Sequence, residues 1–177
     1  MYHGFMAKIP NQTLSWGGVR AMASGGRVDD RDRRILRLLQ RDGRMTNVDL
    51  SKHANLSPAA THERVRKLQQ DGVIEGYSVK LNPAKLDRAL LVFVQITLDR
   101  TDEGIFEEFA KAVARKPEIL ECHMVAGGFD YLIKVRVRDM RAYWDFLGRT
   151  LSGLPGIRQT HTYTVMEEVK NSTDLPV

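Results

Sequence analysis

The apolar residues of this chain change their period along its length, and the changes mark out its elements. Over residues 29–43, Ile35, Leu38 and Leu39 recur at helical spacing with Arg31, Arg33, Arg34, Arg37 and Arg41 around them, and Gly43 ends the run. This predicts a first helix. Thr46 is placed to cap a second, which carries Val48 and Leu50 and ends near Ala54 and Asn55. Leu56 then plugs the core, Ser57 caps a third helix and Pro58 takes its first position, where a missing N–H costs nothing. That helix runs to about Gln70 with Thr61, Val65 and Leu68 on one face, and Asp71-Gly72 closes it. Residues 73–81 read as a short extended piece, Asn82-Pro83 breaks it, and an amphipathic stretch follows over residues 86–90. From there the pattern alternates: strand 91–98, helix 102–116, strand 119–125, a tight Gly127-Gly128 turn, strand 131–137, helix 140–151 and strand 157–166.

Two short helices a few residues apart, with a third packed across them, form a helix-turn-helix pattern, which a three-helix protein-binding or purely structural module shares. The second half has the order βαββαβ, which gives an antiparallel four-stranded sheet with both helices on one face. The expected class is therefore α+β, with a helix-turn-helix and hinge over residues 28–89 and a ferredoxin-like domain over 90–177. Residues 1–27 hold five of the 14 glycines and no apolar periodicity, and read as a mobile extension. The uncovered face of the sheet needs a partner for its apolar residues, and a second copy of the chain is the simplest one.

Charge sharpens this division. Residues 27–67 hold 11 Lys/Arg against 6 Asp/Glu, whereas residues 90–177 hold 11 against 13, so the net charge of +5 sits in effect in the helical window. A basic window of this kind attracts polyanions through counterion release, nucleic acid being the common one, and otherwise reads as a solvated basic face; with the helical pattern, double-stranded DNA is the expected partner. A single Cys122 excludes an internal disulfide framework and predicts a reducing compartment. No apolar run approaches the roughly 18 residues that span a bilayer, so the expected place is the cytoplasm, with no membrane partner. His53, His123 and His161 are too scattered for a shared metal site. No nucleophile–base pair, ligand set or phosphate loop stands out, which argues against an enzyme and against a cofactor. An architectural protein that binds DNA with little sequence preference and no ligand remains an alternative.

The segments DRRILRLLQRDGRMTNVDLSKHANLSP, HERVRKLQQDGVIEGYSVKLNP, LLVFVQITL, ECHMVAGGFDYLIKVRV and YTVMEEVK closely resemble the Lrp/AsnC family of bacterial transcription regulators, and most of all its leucine-responsive branch. The resemblance covers residues 28–177 in order. It implies a winged helix-turn-helix joined by a short hinge to an amino-acid-sensing domain of ferredoxin-like topology. It also implies dimers that assemble to octamers or similar rings, with a small amino acid bound at the subunit contacts. Two positions depart from that branch. The hairpin reads Gly127-Gly128-Phe129-Asp130 where an acidic residue usually stands between glycine and phenylalanine, and the third helix begins Ser57-Pro58-Ala59-Ala60-Thr61 rather than Ser-Pro-Thr/Ser-Pro-Cys.

The expected DNA-contacting set is Asn47, Ser57, Ala59, Ala60, Thr61, His62, Glu63, Arg64, Arg66 and Lys67. On a helical wheel Thr61, Val65 and Leu68 turn inward; Ala59, Ala60, Glu63, Arg66, Lys67 and Gln70 turn outward, with His62 and Arg64 flanking. Arg64 and Arg66 are equally readable as DNA contacts or as arginines paired locally near Glu63. The expected effector-binding set is Met124, Gly127, Gly128, Asp130, Met140, Tyr163 and Val165. In it the glycine amides meet a carboxylate and Asp130 an ammonium, while the apolar members wall a leucine-like side chain or proline. The plainer role for Asp130 is to close the hairpin by accepting backbone N–H bonds.

Overall fold

The computed structural model describes residues 28–177; the extension read over residues 1–27 lies outside the described residues. The chain divides into two compact units, one running to Ser78 and also including Asp174–Val177, the other Val79–Thr173. Residues 79–89, read from the sequence as a hinge attached to the helical domain, therefore belong with the sheet unit.

The first unit holds α1 (Asp30–Arg41), capped by Asp29, and α2 (Asn47–Ala54) and α3 (Pro58–Gln70), which begin at the expected caps Thr46 and Ser57. Thr46 accepts from the Asp49 amide and Ser57 from the Ala60 amide, so each satisfies one of the donors a helix start leaves unpaired. At α1 the cap is reciprocal: Asp29 accepts from the Asp32 amide at 2.8 Å while Asp32 accepts from the Asp29 amide at 3.1 Å. The three helices bury Ile35, Leu50, Ala54 and Leu68 in one cluster, with Leu56 and Val65 packed at its border. Asn55 ends α2 in the left-handed region, at φ 55°, a conformation asparagine tolerates better than other side chains. No strand is assigned over residues 73–81. At the other end of the chain, the Gln40 side-chain amide donates to the Leu175 carbonyl at 3.0 Å and accepts its N–H at 2.7 Å, which fixes the C-terminal residues to α1.

One ion-pair cluster ties α3 to α1. The Arg64 guanidinium lies 2.8 Å from Asp29 and 2.7 Å from Asp32, the same two carboxylates that form the α1 cap. The cap hydrogen bond from Asp32, with the Arg64 guanidinium beside it, holds the Asp29 carboxyl below its ordinary range.

The second unit orders β1 (Leu90–Leu98), α4 (Glu103–Val113), β2 (Ile119–Met124), β3 (Tyr131–Val137), α5 (Met140–Phe146) and β4 (Ile157–Thr164). The sheet order is β2-β3-β1-β4, antiparallel throughout, as the split βαβ pattern requires. Along β1, Val92, Val94, Ile96 and Leu98 face the helices and are buried. Their partners are Tyr131, Ile133, Val135 and Val137 of β3, Ile105, Phe109 and Val113 of α4, and Tyr143 and Phe146 of α5. Phe109 stacks on Tyr131 with ring centroids 4.5 Å apart. The helix expected over 140–151 is α-helical only to Phe146. It then widens into a π turn over Leu147–Leu151, closed by a Ser152 N–H to Leu147 carbonyl bond at 3.1 Å. The amphipathic stretch expected over 86–90 is instead a short 3-10 turn, Ala84–Leu86, ahead of β1.

Glycine is required at Gly156, where φ is +68° and a Cβ would stand 2.6 Å from the Ile105 side chain. On the opposite sheet face the strand period places Phe93, Gln95, Leu132, Lys134, His161 and Tyr163. The chain after β4 covers one end of that face: the Val165 amide bonds the Leu91 carbonyl, and Arg136 is buried by its pair with Glu168.

The Arg64 cluster makes a direct prediction. Arg64→Ala is expected to lower the thermal midpoint of the helical unit by roughly 5 °C while leaving the sheet unit unchanged, read by differential scanning calorimetry. Because the Asp29 pKa is lowered by folding, the wild-type advantage should be full above about pH 5 and shrink as pH falls through the folded Asp29 value. An advantage that grew toward acid would contradict the assignment.

Candidate nucleic-acid interface and effector surface

With Ser57 as cap and Pro58 at the first position, α3 starts with its amides ordered and its inward face locked. Thr61 is fully buried, 0% exposed, and its hydroxyl donates to the Ser57 carbonyl at 3.0 Å. This corrects its place in the DNA-contacting set: the hydroxyl is used inside the helix, and the methyl fills the core. Two further members of the set are also engaged within the unit. The Asn47 side-chain amide donates to the Pro58 carbonyl at 2.9 Å, holding the start of α2 against the start of α3. Arg64 is held by Asp29 and Asp32 rather than by Glu63. Both are positioning residues for α3.

What remains outward is a compact surface. Ala59, His62, Glu63, Arg66 and Lys67 are exposed, Ser57 is exposed beside them and Ala60 is half-buried. Arg66 forms a bidentate pair with Glu63, at 3.0 and 2.6 Å, and the Arg66 hydrogen bond holds the Glu63 carboxyl below its ordinary range. The local-pair reading of Arg66 therefore describes this structure. The pair is exposed, so water competes with it and a phosphate can displace the carboxylate. His62 and Lys67 flank that pair, and the two alanines leave room at the N-terminal end of the helix for close approach of a duplex.

In the sheet unit the hairpin between β2 and β3 is closed by the Val125 N–H on the Asp130 carbonyl at 3.0 Å, and the Asp130 N–H bonds the Ile96 carbonyl of β1 at 3.0 Å. One Asp130 carboxylate oxygen accepts the Leu98 amide at 2.7 Å. Asp130 thus fastens the hairpin to β1, a role the sequence reading placed within the hairpin alone. Gly127 and Gly128 are exposed, neither has a positive φ, and a Cβ added to either meets nothing within 4 Å. Among the described residues nothing requires glycine there.

The apolar members of the effector set do not form one wall within a chain. Met124 pairs with Tyr131 and packs on the helix side of the sheet. Tyr163 lies on the uncovered side, where its hydroxyl donates to Gln95 at 3.2 Å, and Val165 follows on the same side. Met140 begins α5, beyond the end of β3 that lies farthest from the hairpin, about 20 Å away at 3.3 Å per residue. Strand alternation and strand direction together separate these residues. Burial pushes the Cys122 thiol up to about 11, so it stays a neutral core side chain. Among the described residues no cluster of His, Cys, Asp and Glu could hold a metal, and no helix is long and apolar enough to cross a membrane.

Comparison with known proteins agrees with this two-part architecture. A profile for winged helix-turn-helix DNA-binding matches residues 28–75, and one for the Lrp/AsnC ligand binding domain matches residues 91–175. The leucine-responsive regulatory proteins of Klebsiella pneumoniae and Escherichia coli K12 are each 54% identical over 153 residues, 86% of this chain and 93% of theirs. A transcriptional regulator from Neisseria meningitidis, crystallised as its L-Met complex, has a TM-score of 0.80 at 33% identity, over 85% of this chain and 97% of that one. The feast or famine regulatory protein of Mycobacterium tuberculosis, complexed with L-methionine, gives 0.74 at 30%, over 84% and 99%. With a capped recognition-type helix in one unit and the βαββαβ sheet in the other, the chain belongs to the Lrp/AsnC family of DNA-binding transcription regulators and is not an enzyme.

Proposed function

We propose that the chain is a sequence-specific cytoplasmic regulator of amino-acid metabolism genes, whose affinity for DNA is set by a small amino acid bound between subunits. Residues 28–78 are the DNA reader and the sheet unit is the sensor. The observation that carries the sensing half is the hairpin. Two adjacent glycines that neither backbone conformation nor internal crowding demands stand in open space beside a fixed carboxylate. Amides freed of side chains can donate to an amino acid's carboxylate, and the second Asp130 oxygen can face its ammonium. The structures of two relatives with L-methionine support an aliphatic ligand of this class. For this chain leucine-like residues and proline are the candidates, because Gly128 removes an acidic side chain from the turn.

Since Met140, Tyr163 and Val165 lie away from the hairpin within one chain, their part in the site requires a second subunit. The uncovered sheet face, with Phe93, Leu132 and Tyr163, supports dimerisation through the sensor, and exposed Met140 and Trp144, one turn apart on α5, support further assembly toward an octamer or similar ring.

Three outcomes are expected. His62→Ala should change which bases are preferred, by about 1–3 kcal/mol at the affected position, in competition binding. Lys67→Ala should weaken all sequences alike and reduce the salt slope by about one. An unaltered preference among operator variants in His62→Ala would show that α3 is oriented differently. For the sensor, Asp130→Asn keeps an acceptor for the Leu98 amide but removes the charge. In a screen of the twenty amino acids, a ligand at a hundred times its Kd should stabilise the wild type by about 2.7 kcal/mol. The Asn variant should fold normally and lose that gain together with any ligand-dependent change in sedimentation. A full response in the variant would remove Asp130 from the site.

A further inference from the structure

We propose that the exposed arginine stripe of α1 is a second nucleic-acid contact, which holds the backbone of a duplex segment other than the one α3 reads. Arg33, Arg34, Arg37 and Arg41 are all exposed, and at about 100° per residue they fall within roughly 100° of one another, opposite Ile35 and the core. Among the described residues none of them is in an ion pair, as holds also for Arg31, Arg44 and Lys67, whereas Lys52, Arg64 and Arg66 of the same unit are each paired with a carboxylate. Arg37 uses its Nε on the Arg33 carbonyl, and Asp30 is the acidic residue on that side of the helix.

This arrangement is unfavourable for an isolated helix. Arg33, Arg37 and Arg41 repeat at i, i+4 and i+8, so like charges stand one turn apart, and Arg33 and Arg34 oppose the positive end of the helix dipole. Asp30 and Asp32 in the first turn offset it at the start of the helix, and among the described residues no carboxylate pairs with Arg37 or Arg41 farther along. A phosphate backbone would serve all four, and guanidinium groups bind phosphates bidentately. The span from Arg33 to Arg41 is about 12 Å, over which one strand of duplex DNA carries three to four phosphates at about 3.4 Å each. Upstream of α1 the sequence reinforces the sign: residues 1–28 contain Lys8, Arg20 and Arg27 and no acidic residue.

The stripe and the reading surface are on different sides of the three-helix unit. Both α1 and α3 bury their apolar faces in one cluster, and α1 meets α3 through Asp29 and Asp32. Their outward faces therefore diverge, and a straight duplex lying along α3 does not follow the stripe. The regulator so built joins two segments of DNA, one read by sequence and one held by charge.

The test uses the full chain with Arg33, Arg37 and Arg41 all changed to Gln, and a second variant with all three changed to Lys. Gln is a good helix former and removes the repulsion, so thermal unfolding should not fall. Binding is measured against salt on two probes: a short duplex, selected from random sequence by the wild type and just long enough for α3 of one dimer, and a long duplex with that site at its centre. On the long duplex the Gln variant should lose about 2.7 from the salt slope per engaged reader, and the Lys variant should keep most of it. On the short duplex both variants should match the wild type. Equal losses on both probes would place the stripe on the duplex α3 reads, and no loss on either would leave it a solvated face or a site for an acidic protein; each overturns the proposal. Failure of the α3 reading is separately visible, because the wild type would then not select a short duplex at all.

Discussion

Strand β1 is hydrogen-bonded on both sides, to β3 and to β4, and its two-residue period decides what every other part of the sheet unit can do. Val92, Val94, Ile96 and Leu98 go to the helices, and a shift of one residue would turn all four to the opposite face. That register puts Met124 on the closed side and Tyr163 on the open side. It brings the β2–β3 hairpin to the end of the sheet where Asp130 reaches Leu98 and Ile96. Because α4 and α5 lie on one face, the other is left open, and the hairpin and the apolar residues of that open face do not meet within one chain.

The helical unit rests on an analogous fixed point of a different kind. Its core is small, four buried apolar side chains with a border of half-buried ones, and the orientation of α3 is set by polar contacts as well as by packing. The α1 cap that begins with Asp29 also receives Arg64, while Asn47 holds the Pro58 carbonyl. Three residues that look like DNA contacts by position thus serve to hold α3 in place: Thr61 inside the helix, Asn47 at its start and Arg64 on its flank. A small unit gains precision this way, since charge-assisted hydrogen bonds fix direction where a few apolar contacts do not.

Much of this was legible from residue order. Caps at Thr46 and Ser57, proline at the first position of α3, and the apolar run of β1 are local signals, and the structure places these elements within a residue or two of where the pattern does. What local patterns do not carry is pairing across long sequence separations. Arg64 has Glu63 beside it in sequence yet binds carboxylates more than thirty residues away, and the Asp130 carboxylate reaches a strand thirty-two residues upstream. Likewise, Met124, Met140, Tyr163 and Val165 look like one apolar group until strand direction separates them. The π turn after Phe146 is similarly invisible, because Leu147 and Leu151 continue a helical spacing while the backbone bonds lengthen by one residue.

The chain leaves the helical unit for the sheet unit at Ser78 and returns to it at Asp174, where Gln40 fixes the Leu175 backbone within the helical unit. The proposed coupling of amino-acid binding to DNA binding is reciprocal: if the amino acid changes affinity for DNA by some factor, DNA must change affinity for the amino acid by the same factor. Calorimetric titration of the amino acid into the free protein and into its operator complex tests this directly. The two dissociation constants should differ by the factor by which a saturating amino acid alters operator affinity. Equal constants, with an amino acid that binds, would contradict the coupling of sensor to reader.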